Sequence, residues 1–154
     1  MLPKGILTSG SVSIADPASS KKRILEQAAR LLARDTDEPT AEQIFERLLE
    51  RERLGSTGLA GGVALPHARM PGISDTRGAF LRLETPIEFD ALDGQPVDLV
   101  FALLVPEDAN EEHLQLLARL AAMFNEEELR ARLREAEAKE AIAILTGHSS
   151  SHAA

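Results

Sequence analysis

The 154-residue sequence contains no cysteine, no tryptophan and no tyrosine. Without cysteine there is no disulfide and no thiolate metal site, which fits a reducing compartment. Without the two large polar aromatics, and with only five Phe, the core has to be built from Leu, Ile, Val and Ala. No apolar run approaches the roughly 20 residues of a membrane-spanning helix. The opening MLPKGILTSGSVSI also lacks the uninterrupted apolar stretch that heads a secretory signal. Positive charge is in short supply: 17 Lys and Arg against 25 Asp and Glu leave a net charge of −8. That balance repels phosphate backbones and anionic lipids unless a local basic patch reverses the field. A cytoplasmic protein with no membrane insertion and no nucleic-acid partner is expected.

Signatures of cofactor chemistry are missing as well. No G-x-S-x-G, G-x-x-x-x-G-K-[ST] or G-x-G-x-x-G occurs, so a serine-hydrolase elbow, a nucleotide P-loop and a dinucleotide fingerprint all lack support. No acidic calcium-loop signature occurs either, and neither a cofactor nor a metal is expected. What the chain does have is the 44% hydrophobic and 27% charged content of a globular protein, at a length suited to one domain.

Residues from about Ser19 to Arg34 carry Ile24, Leu25, Ala28, Leu31 and Leu32 at helical spacing, behind a serine suited to cap the first turn. A second helix is predicted from Thr40, with Gln43 three positions on as in a capping box, through Ile44, Phe45, Leu48 and Leu49 to Gly55. Arg51 falls on the stripe of Ile44 and Leu48, at i+7 and i+3, so it leans toward the interior side and needs a partner. Four glycines between Gly55 and Gly62 mark a loop. A short strand, Val63-Ala64-Leu65, ends at Pro66, so His67 is expected where a strand opens into a loop. Strands are predicted at 78–83 and 97–105, the second apolar enough to be covered on both faces. Turn chemistry occupies Asp90 to Gln95. Helices are predicted after Pro106, with His113 in a first turn led by Asp108 to Glu112, and over about 126–136 and 139–145. The tail 148–154 is small and polar and is expected to fray; its His148 and His152 are assigned no role. Helices at both ends with strands between them predict a sheet sandwiched by helices.

Three residues are candidates for chemistry. His67, just past a buried strand and a proline, is held by rigid backbone at the edge of a cleft, as a nucleophile would be; a loop histidine without a role is the other reading. His113 is either a satisfied core group or a donor beside the free amides and dipole of a helix start. Arg51 is either an ordinary helix residue or a bidentate clamp for phosphoryl oxygens, and Arg69 is open to the same two readings. His67 and His113 could share a metal, but no third ligand is indicated.

The segment Arg51-Glu52-Arg53-Leu54-Gly55-Ser56-Thr57-Gly58, followed by Gly62-Val63-Ala64-Leu65-Pro66-His67, resembles the active-site signature of fructose/mannitol-type IIA domains of the bacterial phosphotransferase system. The stretch from Leu83-Glu84-Thr85-Pro86-Ile87-Glu88-Phe89-Asp90 through Asp93-Gly94-Gln95 to Phe101-Ala102-Leu103-Leu104-Val105-Pro106 is similar to the nitrogen-regulatory branch. The resemblance implies an α/β fold, a single domain over 1–154 with its core at about 14–147 and a mixed sheet flanked by helices on both sides. It implies a histidine phosphocarrier in which His67 accepts a phosphoryl group on Nε2 from phospho-HPr or its nitrogen-branch relative. His113 matches the family's second histidine and Arg51 its arginine before the glycine loop. Partners would be the HPr-like donor and regulatory targets or, in the sugar-specific alternative, a IIB domain. Some sugar-transporting members carry an acidic residue six positions before the nucleophile, where this chain has Gly61, which favours the regulatory branch. The acidic surface suits a partner docking through a basic patch. Two other classes stay open, a binding module without phosphoryl chemistry and a metal-assisted hydrolase.

Overall fold

A computed structural model describes the whole chain except residues 1, 4, 35, 110 and 148–154 and the side chains of 112 and 113. The tail read as frayed therefore lies outside the described residues. The order of elements is β1 (Val12–Asp16), α1 (Lys21–Leu32), α2 (Ala41–Leu54), β2 (Val63–Ala64), β3 (His67–Met70), β4 (Arg77–Ile87), β5 (Val97–Pro106), α3 (Glu111–Phe124), α4 (Glu127–Glu135) and α5 (Ala138–Thr146).

The first two helices start where side chains satisfy their free amides. The Ser20 hydroxyl accepts from the Arg23 N–H, and Thr40 and Gln43 form the reciprocal capping box in front of α2; each cap is worth about 1 kcal/mol. At the other end, Gly147 closes α5 in the left-handed conformation that glycine adopts without steric cost.

The sheet is mixed and has the order β1-β4-β5-β2, with β3 also on β5. β5 runs antiparallel to β4 and parallel to β2 and β3, and β1 is parallel to β4. Every residue from Leu99 to Val105 is fully buried, because helices cover both faces of this strand. Leu99, Phe101, Leu103 and Val105 point into one core, with Leu116, Leu120 and Phe124 of α3, Leu129 and Leu133 of α4, and Leu145 of α5. Val100, Ala102 and Leu104 point into the other, against Ile24, Leu25 and Ala28 of α1 and Ile44 and Leu48 of α2. Full burial of each such side chain contributes about 1.5–3 kcal/mol, so packing on both faces holds the strand irrespective of intrinsic propensity. Leu2, Ile6 and Leu7 join the first core, so packing begins ahead of Ile14.

One local expectation is corrected. His67 does not open a loop; it is the first residue of β3. β2 pairs with Leu99 and Val100 and β3 with Leu103 to Pro106, so the two form one side of the sheet interrupted at Leu65-Pro66. Proline lacks the N–H a continuous ladder needs, but its carbonyl still accepts from Leu103 N–H at 2.9 Å. The chain therefore resumes pairing at once.

Candidate active site

The interruption at Pro66 also orients the histidine. Leu65 N–H donates to the Thr57 carbonyl at 3.0 Å, while the Leu65 carbonyl lies 2.9 Å from His67 Nδ1. A carbonyl only accepts, so Nδ1 carries the proton and the lone pair of the neutral ring is on Nε2. Burial pushes the His67 pKa below its ordinary value and the Arg51 charge adds to this, against the opposing pull of the Leu65 carbonyl and of Glu52. Desolvation favours the uncharged ring, which is the form with a nucleophilic nitrogen.

The start of β3 borders the last turns of α2. Arg47, Glu50, Arg51 and Leu54, spaced three or four apart along that helix, line a cleft of about 290 Å³ with His67, Ala68 and Arg69 of β3. Alternation along β3 buries Ala68 and Met70 in the α1–α2 core and puts His67 and Arg69 together on the other side of the strand. Arg51 is half-buried, and its Nη1 donates to the Gly55 carbonyl at 3.0 Å. Arg69 Nη1 donates to the Glu107 carbonyl at 3.2 Å, and Arg47 Nη1 lies 3.9 Å from the Glu107 carboxylate. Three arginines against one glutamate line the cleft of a chain whose net charge is −8. The cleft thus gathers basic side chains in an otherwise acidic chain.

A buried carboxylate anchors the loop leading to the histidine. Glu52 occupies the position i+4 from Leu48 on the inner stripe of α2 and is 7% exposed. Its two oxygens accept from Thr57 N–H at 2.9 Å and Thr57 Oγ1 at 2.6 Å, and Lys21 Nζ reaches it at 2.9 Å. Lys21 also donates to the Phe89 carbonyl at 3.3 Å and sits 4.6 Å above the Phe89 ring. One ion pair thereby joins α1, α2, the glycine loop and the β4–β5 connection.

The far end of the glycine loop is held from α4. Arg134 makes a bidentate pair with Asp98, at 2.9 and 2.8 Å, and donates to the Gly61 carbonyl at 2.7 Å. Gly61 and Gly62 both have φ of +81°, and a Cβ on Gly62 would stand 2.6 Å from Arg134 Nη2 and 2.9 Å from Asp98 Oδ1. No other residue fits there without displacing the pair.

Of the residues read from sequence, His67, Arg51 and Arg69 meet in one cleft. His113 is the third residue of α3, and its side chain lies outside the described residues, as do His148 and His152. Sequence reasoning missed Glu52 and Arg47. The only available signal for Glu52 was its helical spacing from Leu48; Arg47, three residues from Glu50 and four from Arg51, carried none. Among the described residues no group of three or more His, Cys, Asp or Glu is placed to hold a metal ion, and no helix is long and apolar enough to cross a membrane.

Comparison with known proteins agrees with this architecture. The family model for the phosphoenolpyruvate-dependent sugar phosphotransferase system, EIIA 2, matches residues 5–147. A nitrogen regulatory protein of Pseudomonas aeruginosa is 53% identical over 137 residues, which is 89% of each chain. One from Escherichia coli K12 is 45% identical over 124 residues, 79% of this chain and 74% of the other. The crystal structure of nitrogen regulatory protein IIA-Ntr from Neisseria meningitidis superposes with a TM-score of 0.87 at 45% identity, covering 92% of this chain and 97% of that one. The mannitol IIA of E. coli shares the fold, with a TM-score of 0.74 at 21% identity over 90% of this chain and 98% of that one. The chain therefore belongs to the EIIA 2 family of the phosphotransferase system, in its nitrogen-regulatory branch.

Proposed function

We propose that His67 accepts a phosphoryl group from an HPr-like phosphocarrier protein in the cytoplasm, and that the resulting phosphorylation state selects the regulatory partners this protein binds. The observation that carries this reading is the Nδ1–Leu65 hydrogen bond in an arginine-lined cleft. The hydrogen bond sets the tautomer with the lone pair on Nε2, burial and the Arg51 charge favour the neutral ring, and the cleft supplies cations suited to a transferring phosphoryl group. In the transfer the Nε2 lone pair forms a P–N bond while the donor's P–N bond breaks and its electron pair returns to the donor nitrogen. The Nδ1 proton stays in its hydrogen bond to Leu65, and no water, metal or nucleotide is consumed. The protein's contribution is positioning and charge stabilisation. By family resemblance His113, at the start of α3, would donate to the phosphoryl oxygens, and Arg51 would contact them or the partner.

Regulation is favoured over sugar transport by Gly61 itself: by resemblance, some sugar-transporting members carry an acidic residue at this position, where this chain has a glycine with φ of +81°. The test is incubation with phospho-HPr followed by intact-mass analysis. The wild type should gain one phosphoryl group that is lost in mild acid and survives base, and His67→Ala should gain none while keeping its fold. A phosphorylated His67→Ala protein would overturn the assignment. Rapid transfer to a sugar-specific IIB domain, together with partner sets identical in both phosphorylation states, would return the protein to the transport role.

A further inference from the structure

We propose that Arg69, supported by Arg47, binds the oxygens of the phosphoryl group on His67, and that Arg47 leaves the Glu107 carboxylate to do so. The inference rests on the reading of His67 as acceptor and adds two phosphoryl-contacting residues to it, with the carboxylate that one of them leaves.

The geometry of β3 comes first. Two positions along a strand separate Cα atoms by roughly 6.6 Å on the same side of the sheet, so the Arg69 side chain is long enough to reach an atom bonded to the His67 ring. Both residues line the same cleft, and Arg47 lines it from α2. The second observation is how the three arginines are held. Arg51 is tied within its own segment, to the Gly55 carbonyl at 3.0 Å. Arg69 donates to a neutral acceptor, the Glu107 backbone carbonyl at 3.2 Å, and Arg47 lies 3.9 Å from the carboxylate of the same residue. The Arg47 pair is long and exposed, with side-chain exposures of 40% and 60%, and pairs of that kind are held weakly. A phosphoryl group carries about −1.5 to −2 charges and three acceptor oxygens. It outcompetes the long Glu107 contact for Arg47, and it offers Arg69 a charged acceptor in place of a neutral carbonyl.

The exchange has a readable consequence. Glu107 directly follows β5, which ends at Pro106, and precedes α3, which begins at Glu111. Its release on phosphorylation changes the charge presented at the entry to that helix.

The experiment compares wild type, R69Q, R69K and E107Q, each phosphorylated with phospho-HPr and separately with potassium phosphoramidate, and followed by ³¹P NMR. R69Q should slow uptake roughly 10- to 100-fold, the range for loss of a charge-assisted hydrogen bond. It should also raise the second pKa of the phosphoryl group, because the dianion loses a cation; a merely structural role would leave that pKa alone. R69K should restore part of both effects. E107Q should act in the opposite sense, with faster uptake and a lower phosphoryl pKa. Normal uptake and an unchanged phosphoryl pKa in R69Q overturn the proposal while His67 stands as acceptor. Wild type that takes phosphoryl from neither donor overturns the acceptor reading and the proposal together.

Discussion

Glu52 and Thr57 close a buried clasp at the root of the glycine loop, the carboxylate accepting from both the amide and the hydroxyl of the threonine. With Lys21 on the same carboxylate, the clasp sets where the chain leaves α2 and how it returns to β2. Replacing Glu52 by alanine would take the nearest counter-ion from the partly buried Lys21 ammonium and the acceptor from the buried Thr57 amide. The expected loss is about 3 kcal/mol, the low end for breaking a buried pair, since Lys21 retains some contact with water. Urea denaturation checks this. Glu52→Gln keeps the shape and most of the hydrogen bonding, so it should lose less. Because the Glu52 charge holds the His67 pKa up, that variant should also titrate His67 at lower pH than wild type. An unmoved titration would mean that the carboxylate does not act on the ring.

Protonation of His67 should itself be visible in stability. Its folded pKa lies below the ordinary 6.5, so as the pH falls the unfolded chain takes up the proton first. Stability from this group is fully present above about pH 6.5 and is lost as the pH drops toward the folded midpoint. An NMR titration of the ring should give a midpoint under 6.5. Urea midpoints measured at about pH 7.5 and about pH 5.5 should fall less in His67→Gln than in wild type. Equal slopes in the two proteins would show that burial does not govern this histidine.

Two glycine substitutions separate backbone strain from collision. Gly72 and Gly62 both have positive φ, but a Cβ on Gly72 would meet nothing within 4 Å, whereas one on Gly62 would run into Arg134 and Asp98. Gly72→Ala should therefore cost about 1 kcal/mol from conformation alone. Gly62→Ala should cost clearly more and should also slow phosphoryl uptake, since it displaces the pair that holds the loop. Equal thermal shifts for the two variants would contradict the clamp from α4.

Much of this architecture was legible in the sequence because local signals agreed with tertiary demand. Thr40 and Gln43 announced α2, and the unbroken apolar run of β5 announced a strand covered on both faces. The misses have physical causes too. β1 contains Ser13 and Asp16, and Ala15 adopts a φ of +57°, so it shows no apolar alternation; its place comes from parallel pairing with Phe80 to Leu83 of β4. β3, His-Ala-Arg-Met, has little strand propensity of its own and is set by register with Leu103 to Pro106. In α2 the inward lean was assigned to Arg51, which is only half-buried, while its neighbour Glu52 is the charged residue inside. A carboxylate reads as solvated until its partners are known, and those lie 31 residues before it, at Lys21, and five after it, at Thr57. The cleft itself was visible only as separate letters, because Arg47 and Arg69 meet through the α2–β3 contact.

The break at Pro66 has a consequence for solubility. β2 and β3 lie on the outer side of β5, where a long regular strand would offer a row of hydrogen-bonding groups to any other extended chain. Here that border is cut into pieces of two and four residues, with a proline that lacks an N–H between them and an exposed arginine at Arg69. Such a border is a poor template for strand addition. The cleft at His67 can stay open at this border without inviting another extended chain, or a second copy of the protein, to extend the sheet.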